Sequence, residues 1–385
     1  MALKVCIVSG SRADWGLLRA PALAIRDDPA FALTIVATGS HLSVRHGMTV
    51  EDIRRDGFVV DRELAILDGG DDSPAAIRAL SRVTTDFGEA LRALGPDIVM
   101  VLGDRYEILG VVQACLIARV PVAHLCGGDI TEGAFDDSIR HAISKMSHLH
   151  FVTNAPAGVR LARMGEEPAN IVVAGSPSLD SIRTVAPLSR DEVFATLGLA
   201  PRAHNILVTF HPPTLDALPG EAQFEELAAA LDGLGGDIGL ILTGSNADPD
   251  GRRLTDMAEA FAAKRGNAAF RVSLGQRLYF STMRHVRAVV GNSSSGLYEA
   301  PSFGIATVNI GDRQARRLRG NSVIDVPPQR DAIAAAIDRA RREDFTGAVN
   351  PYGDGRASER IVARLRKLRR PSDLLRKRFH EEGMP

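Results

Sequence analysis

The chain has 385 residues, a length that predicts two or three domains at roughly 150 residues each. Its 46 Lys+Arg and 47 Asp+Glu leave a formal charge of -1, which excludes the basic excess of a non-specific nucleic-acid binder. With 45% apolar and 24% charged residues it can bury a core, and no apolar run reaches the ~18 residues that span a bilayer. Lys4 sits inside the apolar run 3–8, which reads as a strand and not as a leader peptide. Cys6, Cys115 and Cys126 form no CxxC pattern and cannot all pair, so a reducing, cytoplasmic setting is expected.

Taken in chain order, strands are expected at 5–9, 33–38, 98–102, 120–125, 150–153 and 171–174. A second series falls at 206–209, 238–243, 269–272, 288–290 and 305–310. Most are continuous apolar runs, which suit parallel strands covered on both faces. Helical patterns lie between them, among them 14–26, 74–93 and 108–118. This rhythm predicts an α/β fold with helices on both sides of parallel sheets. It pauses at 181–204, where Pro187, a short helix at 191–197 and Gly198-Leu199-Ala200-Pro201 mark a linker. The expected division is a Rossmann-like domain at 1–182, a second at 183–355, and a helical segment at 356–385. Residues 356–379 are basic, and Ile361, Leu365, Leu368, Leu374 and Leu375 predict a helix that packs through one face and leaves the charges in solvent. An anionic partner is the alternative. Ligands of open α/β sheets bind beyond the carboxyl ends of the strands. Two such domains facing each other would enclose a central cleft.

Five motifs follow strands. Gly10-Ser11-Arg12-Ala13-Asp14 leads into a helix start that offers N–H groups to an anion, with Arg12 adding a forked cation; the alternative is a turn capped by Asp14. Gly103-Asp104-Arg105-Tyr106-Glu107 sets Asp104 at a strand's carboxyl end, either in the site or as a helix cap. The run 124–141 crowds Asp129, Glu132, Asp136 and Asp137 between two histidines, a pattern suited to acid–base work because neighbouring carboxylates raise one another's pKa. A solvated acidic loop is the other reading, and this run contains no HxH or HExxH spacing that would point to a metal. His211 closes the second series' first strand as a candidate acid or phosphate donor. Gly291-Asn292-Ser293-Ser294-Ser295-Gly296 makes an anion cradle, with Glu299 one turn on for ribose hydroxyls and Arg313 after the next strand.

Over nearly its whole length the chain resembles the hydrolysing UDP-N-acetylglucosamine 2-epimerases of bacterial sialic- and legionaminic-acid-type pathways. The motifs that carry the likeness are those above, with Asp136-Asp137-Ser138-Ile139-Arg140-His141, Ser147-His148-Leu149-His150 and Gly311-Asp312-Arg313-Gln314. The resemblance implies the GT-B arrangement of two Rossmann-like halves about a cleft, with a C-terminal helix crossing back to the first half. It implies a nucleotide-sugar substrate, no cofactor or metal, no nucleic-acid or membrane partner, and a homodimer or homotetramer. It assigns catalysis to Asp104, Asp136 and His211. It assigns nucleotide binding to Arg12, Ser293, Ser294, Ser295, Gly296, Glu299 and Arg313. Many relatives carry a catalytic glutamate where this chain has Cys126, and Asp129 and Glu132 are the carboxylates near enough to serve instead. The implied reaction is elimination of UDP from UDP-N-acetylglucosamine or UDP-2,4-diacetamido-2,4,6-trideoxyglucose, then addition of water. A GT-B glycosyltransferase, a non-hydrolysing epimerase and an inactive sugar-nucleotide sensor are the competing readings.

Overall fold

The structure is a computed structural model that describes residues 2–70, 72–130, 135–213, 218–245 and 251–381. Its elements alternate from the first strand onward. β1 (Leu3–Ser9), α1 (Arg12–Arg26), β2 (Phe31–Thr38), α2 (Val50–Arg55), β3 (Arg62–Leu64) and α3 (Ser73–Leu94) come first. β4 (Ile98–Leu102), α4 (Tyr106–Ala118), β5 (Val122–Leu125), α5 (Phe135–Met146), β6 (Leu149–Val152), α6 (Ala155–Arg163), β7 (Ile171–Val173) and α7 (Pro177–Thr184) follow. The second series is α8 (Arg190–Leu197), β8 (His204–Thr209), α9 (Gly220–Asp232), β9 (Ile238–Thr243), α10 (Gly251–Ala263), β10 (Ala268–Arg271) and α11 (Gly275–Met283). It closes with β11 (Ala288–Gly291), α12 (Ser295–Tyr298), β12 (Ala306–Ile310), β13 (Val323–Val326) and α13 (Arg330–Arg342), before α14 (Ala357–Leu365). Two units result: Met1–Ser181 with Gly353–Pro385, and Ile182–Tyr352.

Among the described residues the first unit holds a seven-stranded sheet in the order β3-β2-β1-β4-β5-β6-β7, and the second a six-stranded sheet in the order β10-β9-β8-β11-β12-β13. All pairings are parallel. Both orders reverse once, between β1 and β4 and between β8 and β11. At such a switch point the loops leaving adjacent strands run to opposite sides and open a crevice. The continuous apolar runs have a direct cause. Val5 and Ile7 of β1 join one buried cluster with Trp15, Leu18 and Met100. Cys6 and Val8 join another with Val83, Phe87 and Val101 on the opposite face. A strand covered on both sides has no polar face to alternate with. No described helix is long and apolar enough to cross a membrane.

Three local expectations change. β3 and β13 are additional short edge strands, and two of the three residues of β3 are exposed, so apolar patterning carries no signal for it. α1 is capped by Ser11, whose hydroxyl accepts the Asp14 N–H at 3.2 Å, and not by Asp14. The basic C-terminal segment is not one helix. α14 ends at Leu365, Arg370 is extended, and a short 3₁₀ turn (Pro371–Leu375) follows. Pro371 cannot donate to a helical ladder and disfavours a helical Arg370.

α14 belongs to the first unit's core: Ile361 and Leu365 are fully buried in the cluster that holds Trp15 and Leu18 of α1. Its first turn is held by Asp180, whose carboxylate accepts the Ala357 N–H at 2.8 Å and the Ser358 N–H at 2.6 Å. Helix-start N–H groups are otherwise orphaned, and this carboxylate is buried with them. Asp180→Ala is therefore expected to lower unfolding free energy by about 2 kcal/mol in urea titration, with Asp180→Asn intermediate. An unchanged midpoint for the alanine variant would show that α14 docks without this contact.

Candidate functional site

In the first unit the crevice between β1 and β4 is lined by charge. Glu107, at the start of α4, is fully buried, is ion-paired to Arg105, and leaves its Oε2 without a partner among the described residues. It fits because residue 10 is glycine: a Cβ there would lie 2.7 Å from Glu107 Oε1. Asp14 reaches the same place, accepting the Gly10 N–H at 3.2 Å. Burial raises the Asp14 carboxyl to about 6; Arg105 opposes that shift and Glu107 adds to it. Two carboxylates thus share one guanidinium. Beside them, Ser9 Oγ meets His41 Nε2 at 2.9 Å, and burial lowers His41 to about 4, so that ring is neutral. Arg12 points outward, with 71% of its side chain exposed and only a 4.0 Å approach to Asp52.

Asp104 caps nothing; α4 begins at Tyr106, and the residue before it, Arg105, makes no side-chain cap. Its carboxylate is bound instead by the buried Arg140 of α5. Arg140 also donates to the Asp129 carbonyl at 2.9 Å and approaches Asp137 at 3.4 Å. Asp136 stands in the same field: its pKa is raised, first by burial and then by Asp104, with Arg140 opposing. Asp129 gives its carboxylate to Thr153 Oγ1 and Asn154 Nδ2, each at 3.0 Å, which ties the turn after β5 to the end of β6. Glu132 lies outside the described residues. His124 is buried and neutral, lowered to about 3 by burial, and spans Gly103 O at 2.8 Å and Ser144 Oγ at 3.0 Å. Cys126 takes a left-handed φ of 61°, and burial followed by Asp129 pushes its thiol up, so it is not a ready proton carrier near neutral pH.

In the second unit, the loops after β8, β11 and β12 meet on Asn292. Its Oδ1 accepts the His211 N–H at 2.7 Å, its Nδ2 donates to the His211 carbonyl at 2.8 Å, and its own carbonyl accepts Gln314 Nε2 at 2.8 Å and Arg313 Nη1 at 3.5 Å. His211 Nδ1 lies 3.3 Å from Ser245 Oγ, just past β9. Gly291 sits at φ 134°, where a Cβ would fall 1.9 Å from the Thr209 carbonyl, so the close approach of β8 and β11 needs glycine. The structure thus brings His211, Ser293 and Arg313 into one locality. Ser293 Oγ accepts the Ser295 N–H at 3.4 Å, and Ser295 Oγ takes the Tyr279 hydroxyl at 3.0 Å. Gly296 is buried against Thr307. The helix after the serines is one turn only, and Glu299 follows it immediately. What this surface can offer an anion is local N–H groups, hydroxyls and Arg313, not a long helix dipole.

Residue types alone do not single out Asp14, Arg105, Glu107, Asn292 or Gln314. The first three assemble only because β1 and β4 are neighbours. Among the described residues no group of three or more His, Cys, Asp or Glu is placed to hold a metal ion.

The family described as UDP-N-acetylglucosamine 2-epimerase matches residues 23–366. The chain belongs to that family. A GDP/UDP-N,N'-diacetylbacillosamine 2-epimerase (hydrolyzing) from Campylobacter jejuni is 39% identical over 323 residues, 84% of each chain. A UDP-N,N'-diacetylbacillosamine 2-epimerase (hydrolyzing) from Legionella pneumophila is 32% identical over 377 residues, 98% of this chain and 99% of the relative. The crystal structure of the Neisseria meningitidis UDP-GlcNAc 2-epimerase bound to UDP-GlcNAc shares the fold, with a TM-score of 0.75, 16% identity, and coverage of 94% of this chain and 99% of that one. The two parallel Rossmann-like sheets are thus those of a GT-B-like epimerase fold.

Asp14 makes a pH prediction. The folded chain holds this proton more tightly than the unfolded chain, whose aspartates titrate near 4. That contribution to stability is complete below about 4 and is lost as pH rises to about 6, a change of about 3 kcal/mol. Asp14→Asn is expected to flatten the slope across this window in urea unfolding. Parallel wild-type and variant slopes would take Asp14 out of the account.

Proposed function

We propose that this protein is a hydrolysing nucleotide-sugar 2-epimerase, which releases nucleoside diphosphate from a 2-acetamido sugar and yields the free manno-configured sugar. One observation carries the reading. Asp104 and Asp136 act on each other at the carboxyl end of the first unit's sheet, one bound to a buried arginine and the other raised by burial. A carboxylate raised by burial holds its proton more tightly and is suited to proton transfer. The favoured sugar is N,N'-diacetylbacillosamine on UDP or GDP, supported by the relatives at 39% and 32% identity; UDP-N-acetylglucosamine is the rival.

The proposed chemistry starts with departure of the diphosphate. The C2–H bond is not next to a carbonyl and is weakly acidic, so C1–O cleavage runs ahead and the ring gains oxocarbenium character. Loss of the C2 proton then gives a glycal. Water adds at C1, and a proton returns to C2 from the opposite face. Charge growing on the β-phosphate would be met by Arg12, Arg313, Ser293, Ser294 and neighbouring N–H groups of the Ser295-Gly296 turn. Glu299 is assigned to the ribose hydroxyls. His211, fixed through both main-chain groups by Asn292, is assigned to the diphosphate or a sugar hydroxyl. Asp104 would steady the cationic ring, and Asp136 would carry a proton. Inversion at C2 needs a donor and an acceptor on opposite faces, so two groups are required. Asp129 is held by Thr153 and Asn154 and serves best by shaping the loop that carries Arg140's carbonyl contact.

Asp104→Asn and Asp136→Asn are each expected to lower kcat by about 100-fold or more while UDP affinity changes little. Full turnover in either variant would remove that residue from the chemistry. Product made in deuterated water is expected to carry deuterium at C2. Retained protium there would exclude elimination, and release of a nucleotide-linked sugar would point to a non-hydrolysing enzyme.

A further inference from the structure

The basic C-terminal segment has no part in the proposed reaction, and the structure wraps it around a cavity of about 490 Å³ within the first unit. The cavity lies at the amino ends of β6 and β7, where His148 and Asn170 line it, whereas Asp104 and Asp129 follow the carboxyl ends of β4 and β5. It therefore sits at the opposite end of the sheet from the epimerase residues. Its wall carries Arg364, Lys367, Arg369, Arg370, Arg376 and Arg378.

The acidic residues in the wall do not neutralise this charge. Glu166 is buried and already held by Lys145 at 2.9 Å, Lys377 at 2.6 Å and His150 at 2.9 Å. Asp373 faces Arg370 at 3.2 Å. That leaves Glu167 as the remaining acid. Lys367, Arg369, Arg376 and Arg378 have no carboxylate partner among the described residues. Arg364 is half-buried, donates to Asn170 Oδ1 at 3.1 Å, and has its pKa lowered by burial with no carboxylate to offset it. A guanidinium kept in that setting gains most from an anion brought to it.

A second, independent feature is His148, which is 5% exposed and lines the same cavity. Its Nδ1 accepts the Val122 N–H at 3.2 Å. Burial, then Lys377, lowers its pKa to about 4, so the ring is neutral and its single proton is on Nε2. That N–H has no acceptor among the described residues. The side chain is nine-tenths buried, and the atom that carries this donor opens onto a cavity walled by cations, where an acceptor from outside can meet it.

We propose that this cavity is a second anion site, built for a compact polyanion of the diphosphate class, with His148 Nε2–H and Arg364 as its inner donors and Lys367 and Arg376 at its rim. The concave shape favours a small polyanion over a membrane surface or a nucleic-acid backbone, which track extended ridges. The site stands apart from the epimerase reading and survives if that reading fails.

Equilibrium dialysis with radiolabelled inorganic pyrophosphate at low ionic strength tests it by stoichiometry. Lys367→Glu with Arg376→Glu, both exposed, is expected to remove one bound equivalent per chain relative to the wild type, whatever else the wild type binds. Arg82→Glu with Arg92→Glu on α3 makes the same change in net charge on an exposed face and is expected to remove none. Arg364→Met, which keeps the aliphatic stem, is expected to weaken that one equivalent about tenfold. Nucleotide-sugar turnover in the Lys367/Arg376 variant should match the wild type. Equal stoichiometry in all three proteins overturns the proposal. So does an equal loss in the two double variants, which would reduce the effect to diffuse charge.

Discussion

Arg140 is the constraint on which the first unit's site depends. A buried guanidinium costs several kcal/mol unless its donors are met. Arg140 meets them with the Asp104 carboxylate after β4, the Asp129 carbonyl after β5 and Asp137 one turn back on its own helix. One side chain therefore fixes three segments at the carboxyl end of the sheet. The same arrangement gives the two carboxylates different surroundings. Asp104 lies directly on the cation, whereas Asp136 feels burial and Asp104 more strongly than it feels Arg140.

The second unit reaches comparable order without buried charge. Gly291 lets β8 and β11 approach so closely that no side chain would fit between them. Asn292 then presents a donor and an acceptor to the two main-chain groups of His211, and its carbonyl gathers Gln314 and Arg313 from the loop after β12. Hydrogen bonds to main-chain groups hold the loops, with Arg313 and the hydroxyls at the surface they define. Cys126 fits this division of labour. Its raised thiol cannot exchange protons readily near neutrality.

Much of this was legible before any coordinates. Continuous apolar runs marked the central strands because both faces of each sheet are covered. The glycine and serine runs after those strands mark the turns at the carboxyl ends of the sheets. β3 and β13 escaped notice because edge strands bury too little to leave a pattern. The sequence of the C-terminal segment fits one amphipathic helix, yet Pro371 breaks it, and the break curls its cations around a cavity.

The sequence by itself determined the α/β class, the family likeness, and the residue types of the motifs, since each of these follows from local periodicity or from residues adjacent in the chain. Only the tertiary structure decided which charges share a partner. Asp14, Arg105 and Glu107 converge because β1 and β4 lie side by side, and His148 and Arg364 line one cavity because α14 folds back on the first sheet. Parallel pairing joins segments far apart in the chain, and pKa and ion pairing follow distance in space, which no reading of neighbours along the chain supplies.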